Sequence, residues 1–173
     1  MTLNRVITMV AAGLMLASMA PASASAQLVR FGVGGGPSIP TGSFGDLFQT
    51  GRHAQAILAL RIPLVPVGVR ADVGYHRFTS PTPGVADLNQ IAGTVNGLLT
   101  VVPLPVVSGY VTGGAGVYHL SAGGSSTEVG VNGGVGVRAN LWLIEPFAEV
   151  RYHHVFADGG TGRMMPITIG VMF

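Results

Sequence analysis

Met165-Pro166-Ile167-Thr168-Ile169-Gly170-Val171-Met172-Phe173 decides how the rest of the sequence is read. Met165, Ile167, Ile169, Val171 and Phe173 fall on one face at period two, and Pro166, Thr168, Gly170 and Met172 fall on the other, which is the pattern of a strand. A water-soluble protein gains little from finishing on an exposed aromatic. A transmembrane β-barrel needs an apolar outward face on its closing strand and an aromatic at the membrane boundary. The stretch therefore predicts a closing barrel strand.

Seven further segments carry the same alternation: Val29 to Ile39, His53 to Ile62, Val67 to Phe78, Asn89 to Val101, Val107 to His119, Glu128 to Leu141 and Phe147 to Phe156. Between them lie a longer connection at Thr41 to Arg52 and tight turns at Pro63 to Pro66, Pro103 to Pro105 and Leu143 to Pro146. Longer connections return at Thr79 to Leu88, Leu120 to Thr127 and Ala157 to Met164. The order long, short, long, short, long, short, long is what an up-and-down barrel needs, with short turns on the periplasmic side and longer loops outside. The expected fold is all-β, an eight-stranded antiparallel up-and-down transmembrane barrel.

Ahead of the strands, Arg5 begins a positive region, Val6 to Ala20 is an apolar run, and Ala24-Ser25-Ala26 supplies small residues before a cut at Gln27. Residues 1–26 thus read as a signal peptide and 27–173 as one barrel domain. Beyond the leader no apolar run is long enough for a membrane helix. The chain has no cysteine, which excludes a disulfide framework and thiolate metal sites. Its nine basic residues, all Arg, face seven acids, and Arg5 goes with the leader; this near balance argues against nucleic acid as a partner.

Alternation alone does not say which face meets lipid. Size does, because a ring of eight strands has room inside for side chains and not for an open pore. Arg61, Arg70, Asp72, Arg138, Glu149 and Arg151 share one face with many glycines and suit a packed polar lumen of charge-assisted hydrogen bonds. The Val, Leu, Ile and Ala face then meets lipid. Tyr75, Phe78, Tyr118, Tyr152 and Phe156 near the loop ends, with Phe31, Trp142, Phe147 and Phe173 near the turn ends, are expected to form two aromatic girdles. The competing architecture is a soluble periplasmic barrel with an apolar, ligand-binding cavity.

The sequence resembles the small eight-stranded outer-membrane barrel family, the OmpA/OmpX type. The likeness rests on the signal peptide, Phe31-Gly32-Val33-Gly34-Gly35-Gly36, Gly113-Gly114-Ala115-Gly116-Val117-Tyr118, Pro146-Phe147-Ala148-Glu149-Val150-Arg151-Tyr152 and Ile169-Gly170-Val171-Met172-Phe173. It implies an outer-membrane protein of a Gram-negative type cell, monomeric, with outer-membrane lipids around it. It also implies a C-terminal assembly signal at Ile169, Val171 and Phe173 that the barrel-insertion machinery reads. A structural or surface-interacting role follows from the same analogy, with loops that present contacts to extracellular ligands.

Chemical motifs are sparse. His53, His76, His119, His153 and His154 map to the loop ends of strands, with His53 and His76 opposite each other. Imidazoles ligate metals and titrate near neutrality, yet no metal spacing accompanies them, so His53, His76 and His153 are expected as hydrogen-bonded rim residues and no metal or cofactor is expected. Some small barrels resemble lipid A deacylases, which use a His, a Ser and a carboxylate on the outer surface. Tyr152-His153-His154-Val155-Phe156 offers no serine two residues after either His, and Ser125-Ser126-Thr127 reads as a polar loop, so no catalytic residue is assigned. The glycine-rich Gly32 to Gly36 has neither a following helix nor any Lys in the chain, which excludes a phosphate-binding P-loop.

Overall fold

Period-two alternation sustained along the chain produces strands whose edges must be paired, and here they pair by closing into a ring. The structure, a computed structural model, describes residues 29–61, 65–82, 84, 86–157 and 160–173. The expected leader, Ile62 and part of the first tight turn lie outside the described residues. The elements are β1 (Val29–Pro40), α1 (Ser43–Leu47), β2 (Gly51–Arg61), β3 (Val67–Phe78), β4 (Leu88–Pro103), β5 (Val107–Ser121), β6 (Ser125–Ala139), β7 (Glu145–Ala157) and β8 (Gly160–Met172). Each strand pairs antiparallel with its sequence neighbours, and β1 also pairs with β8, so the barrel is closed and leaves no free edge. At the seam Val33 stands between Ala56 of β2 and Val171 of β8.

The faces sort as the alternation predicts. Val73, Val95, Val135 and Ile169 point outward, Ile169 with 72% of its surface uncovered, whereas Arg70 and Asp72 are 3% and 4% exposed inside. A water-soluble barrel would carry the opposite arrangement, since each uncovered apolar Å² costs about 25 cal/mol in water. Among the described strand residues, the charged side chains on the outer face are Arg52, Arg77 and Arg163, all at the loop end of the wall.

Two of the loop-side connections are shorter than expected. Strands β5 and β6 run to Ser121 and Ser125, which pair with each other, so the third loop shrinks to Ala122, Gly123 and Gly124. Gly123 takes φ 71° there, and the Ala122 N–H donates to Gly124 O at 2.9 Å. Likewise β7 and β8 pair out to Ala157 and Gly160, leaving only residues 158 and 159 between them. The outer parts of these hairpins project beyond the span a bilayer demands, about 9–11 residues per tilted strand. β5 and β6 each have 15. Where both faces meet water no apolar alternation is required, and a strand there reads as a loop.

The third tight turn lies at 140–144 rather than 143–146: Leu141 and Ile144 exchange two backbone hydrogen bonds, and Trp142 sits at φ 33°. This shift puts Glu145 on β7. On the loop side, the first connection is not plain coil. It contains α1, whose Phe44, with Phe48 just beyond the helix, leans over the barrel mouth onto Phe78 at ring distances of 5.4 and 6.5 Å.

The aromatic girdles are also smaller than expected. Phe78, Tyr118 and Phe147 are 0%, 0% and 6% exposed and point into the lumen, because each shares the parity of the lumen residues on its strand: His76, Thr112 and Glu149. Tyr75, Tyr152 and Phe156 remain outside near the loops, and Phe31, Trp142 and Phe173 remain outside near the turns.

Candidate functional site

The lumen is stacked in layers, the first of them at the turn side. Glu145 is shared by two arginines. Arg61 binds it in a fork at 2.6 and 2.7 Å, and Arg30 donates to Oε2 at 3.0 Å. Beside them Arg138 has only neutral partners, donating to Thr100 Oγ1 at 2.7 Å and lying 5.4 Å from the centre of the Tyr110 ring. Ile57, Ala59, Phe147 and Met172 form an apolar layer next to this end.

Above it comes a four-charge tier. Arg70 grips Glu149 bidentately at 2.7 and 2.9 Å and Asp72 through Nε. Arg151 reaches Asp72 at 3.1 Å and Glu149 at 2.8 Å. In an eight-stranded ring β3 and β7 stand opposite each other, so alternate positions on the two strands (70 and 72, 149 and 151) meet across the lumen as a square of opposite signs. Tyr110 donates to Glu149 at 2.9 Å, Asn96 to Asp72 at 2.7 Å, and Arg151 to Gln55 at 3.1 Å. Two guanidinium groups and two carboxylates cancel, and the additional hydrogen bonds offset part of the cost of burying them.

The next tier holds the histidines. Ser38 Oγ lies 3.2 Å from His53 Nδ1 and 2.8 Å from His76 Nδ1, His53 Nε2 lies 2.9 Å from Thr168 Oγ1, and Tyr118 OH lies 2.9 Å from His153 Nδ1. The rings of His53 and His76 stack at 5.1 Å. Phe78, Leu88, Ala92, Tyr118, Val155 and Met164 close the barrel above them, and Phe44, Phe48 and Leu120 pack onto that plug.

Glycines make room for these side chains. A Cβ at Gly136 would enter the Tyr110 ring, and one at Gly130 would lie 2.8 Å from Tyr118 Cε2, so bulky aromatics occupy the lumen only because β6 presents hydrogen at those points.

All six charged residues singled out in the sequence face the lumen. The structure joins Arg70, Asp72, Glu149 and Arg151 directly, whereas Arg61 belongs to the lower cluster and Arg138 stands beside it without a carboxylate. His53, His76 and His153 lie one tier beneath the plug, each 6% exposed or less. Ile169 and Phe173 point outward, and Phe173 donates its N–H to Phe31 O at 2.7 Å. Glu145 escaped the sequence reading because it was assigned to a turn, although it shares its parity with Glu149 and Arg151. The neutral partners Tyr110, Asn96, Gln55, Ser38 and Thr168 carry no motif. Among the described residues, no group of three metal-binding side chains is placed to hold an ion.

On the outer wall His119 Nδ1 lies 2.9 Å from Thr127 Oγ1, a hydroxyl–imidazole contact formed because both strands continue past the expected loop boundary. Among the described residues no carboxylate is hydrogen-bonded to this His, so the third member of a nucleophilic triad is not in place.

No protein-family model and no curated protein matches this sequence. Solved structures do. Neisserial surface protein A superposes with a TM-score of 0.68 at 16% identity, covering 83% of this chain and 95% of that one. A major outer membrane protein from Thermus thermophilus gives 0.53 at 14%, covering 84% and 98%. Ail, the attachment invasion locus protein of Yersinia pestis, gives 0.52 at 15%, covering 84% and 97%. The fold is that of the small eight-stranded outer-membrane barrels.

Proposed function

We propose that this chain is an integral outer-membrane protein, exported by residues 1–26, whose lumen is packed shut and whose role is structural or surface-interacting. The observation that carries this is the inversion of polarity: an uncovered apolar wall around a lumen of paired charges. Such a wall fits lipid and supports outer-membrane lipids as the surrounding partner. The tight turns would then face the periplasm, and α1, the second loop and the β5–β6 hairpin would face outward. Two of the similar barrels are named as a surface protein and an attachment protein, which supports giving these outer segments a contact role. Ile169, Val171 and Phe173, outward-facing on the closing strand, are the residues proposed for recognition by the barrel-insertion machinery.

The test is fractionation of cells expressing the full chain, followed by gel electrophoresis of heated and unheated membrane samples. The protein is expected in the outer-membrane fraction with a heat-dependent mobility shift, and deletion of Phe173 is expected to reduce the shifted, folded form. Recovery of the mature protein in the soluble periplasmic fraction without detergent would overturn the proposal.

A further inference from the structure

The turn-side mouth of the lumen holds more positive charge than its neighbours neutralise. Arg30, Arg61 and Arg138 stand there against Glu145 alone among the described side chains, so Arg138 is left without an ion-pair partner. Both oxygens of Glu145 are already taken by Arg61 and Arg30. Arg138 is 9% exposed, its Nε has no hydrogen-bond partner, and its other contacts are a hydroxyl and an aromatic face. Burying a guanidinium without a carboxylate is costly, and in the middle tier of the same lumen both arginines have carboxylate partners.

Beside Arg138, at the turn-side rim, lies a cavity of about 210 Å³ whose lining joins Arg61, Arg138 and Thr100 to the wall residues Leu60, Val67 and Val69. Deeper in, the space narrows to about 10 Å³ beneath Arg70 and Tyr110, room for no more than a water. An occupant must therefore come from the turn side.

We propose that this cavity is a binding site for a small phosphate-class oxyanion supplied from the periplasmic side. The guanidinium fork matches tetrahedral oxyanions in geometry, and Arg138, the arginine there without a carboxylate, lines the cavity together with Arg61. A halide would match the sign but not the fork.

The experiment is calorimetric titration of inorganic phosphate into the folded full mature chain in zwitterionic detergent at low ionic strength. Saturable one-to-one binding is expected, weakened about tenfold or more by Arg138→Gln, as loss of a charged hydrogen-bonding partner implies. Arg163→Gln, which removes the same charge from the outer wall at the opposite end, is expected to bind as the unmodified protein does. Absence of saturable binding, or an equal loss in Arg163→Gln, would overturn the proposal. Backbone amide shifts of the unmodified protein give a readout that does not depend on a variant folding. Phosphate is expected to move Gly68, Leu98 and Arg138, and changes confined to residues 41–50 and 79–87 would also overturn it.

Discussion

At the scale of single residues, burial decides what a charge contributes. Glu149 has no exposed side-chain surface and holds Arg70, Arg151 and Tyr110, so truncating it leaves two arginines short of a partner in a closed space. Glu149→Ala is expected to cost about 3–5 kcal/mol in a denaturant titration of the folded barrel, the range found when one member of a buried pair is removed. Arg77 and Asp87 pair at 3.1 Å with 49% and 34% of their side chains exposed, and Arg77→Gln is expected to change the stability by about 0–1 kcal/mol at most. Equal losses for the two variants would mean that the lumen is hydrated well enough to screen its charges. Pairing the lumen residues was beyond a reading of one sequence. Parity places Arg70 and Glu149 on the inner face and an eight-strand ring puts β3 opposite β7, but only the strand registers bring the two to one height.

At the scale of elements, alternation was informative where lipid imposes it and silent where it does not. The bounds of β3 follow directly from Val67, Val69, Ala71, Val73 and Tyr75 on one face. The ends of β5 and β6, with Ser121, Ser125, Ser126 and Thr127, are polar and carry no apolar face to betray them. The turn between β6 and β7 shows the converse, an apolar segment without a strand. Leu141, Trp142, Leu143 and Ile144 are uncovered, Trp142 completely so, at the end of a hairpin that cannot bury them within the protein. Such a cluster is stable if the bilayer interface receives it, the location tryptophan favours. Trp142 is the only tryptophan, so its fluorescence reports on this turn alone. Its emission is expected to be blue-shifted in lipid vesicles and quenched by lipids brominated near the headgroup. A water-like emission maximum in vesicles would place the turn out in the periplasm and shorten the membrane-embedded wall.

At the scale of the whole molecule, eight strands set a ring narrow enough for side chains to fill, and the layers use that width fully. The sequence made the closed lumen legible through ring size and charged parity, while the plug was not legible. Parity puts Phe78 and Tyr118 inside with His76 and Thr112, but nothing in the sequence shows α1 folding Phe44 and Phe48 over the mouth above them. Two closures therefore stand in series, the aromatic plug at the loop side and the four-charge tier at mid-lumen. A path blocked twice in series opens only when both blocks go. The unmodified protein is expected to show no stepwise conductance in planar bilayers. The double variant Phe44→Ser with Phe48→Ser is also expected to stay silent, although amide exchange should rise across residues 41–50 as the plug loosens. Stepwise currents from that double variant would mean that the Arg70–Asp72–Glu149–Arg151 square leaves a passage for ions, and the barrier would then belong to the loop rather than to the charges inside the ring.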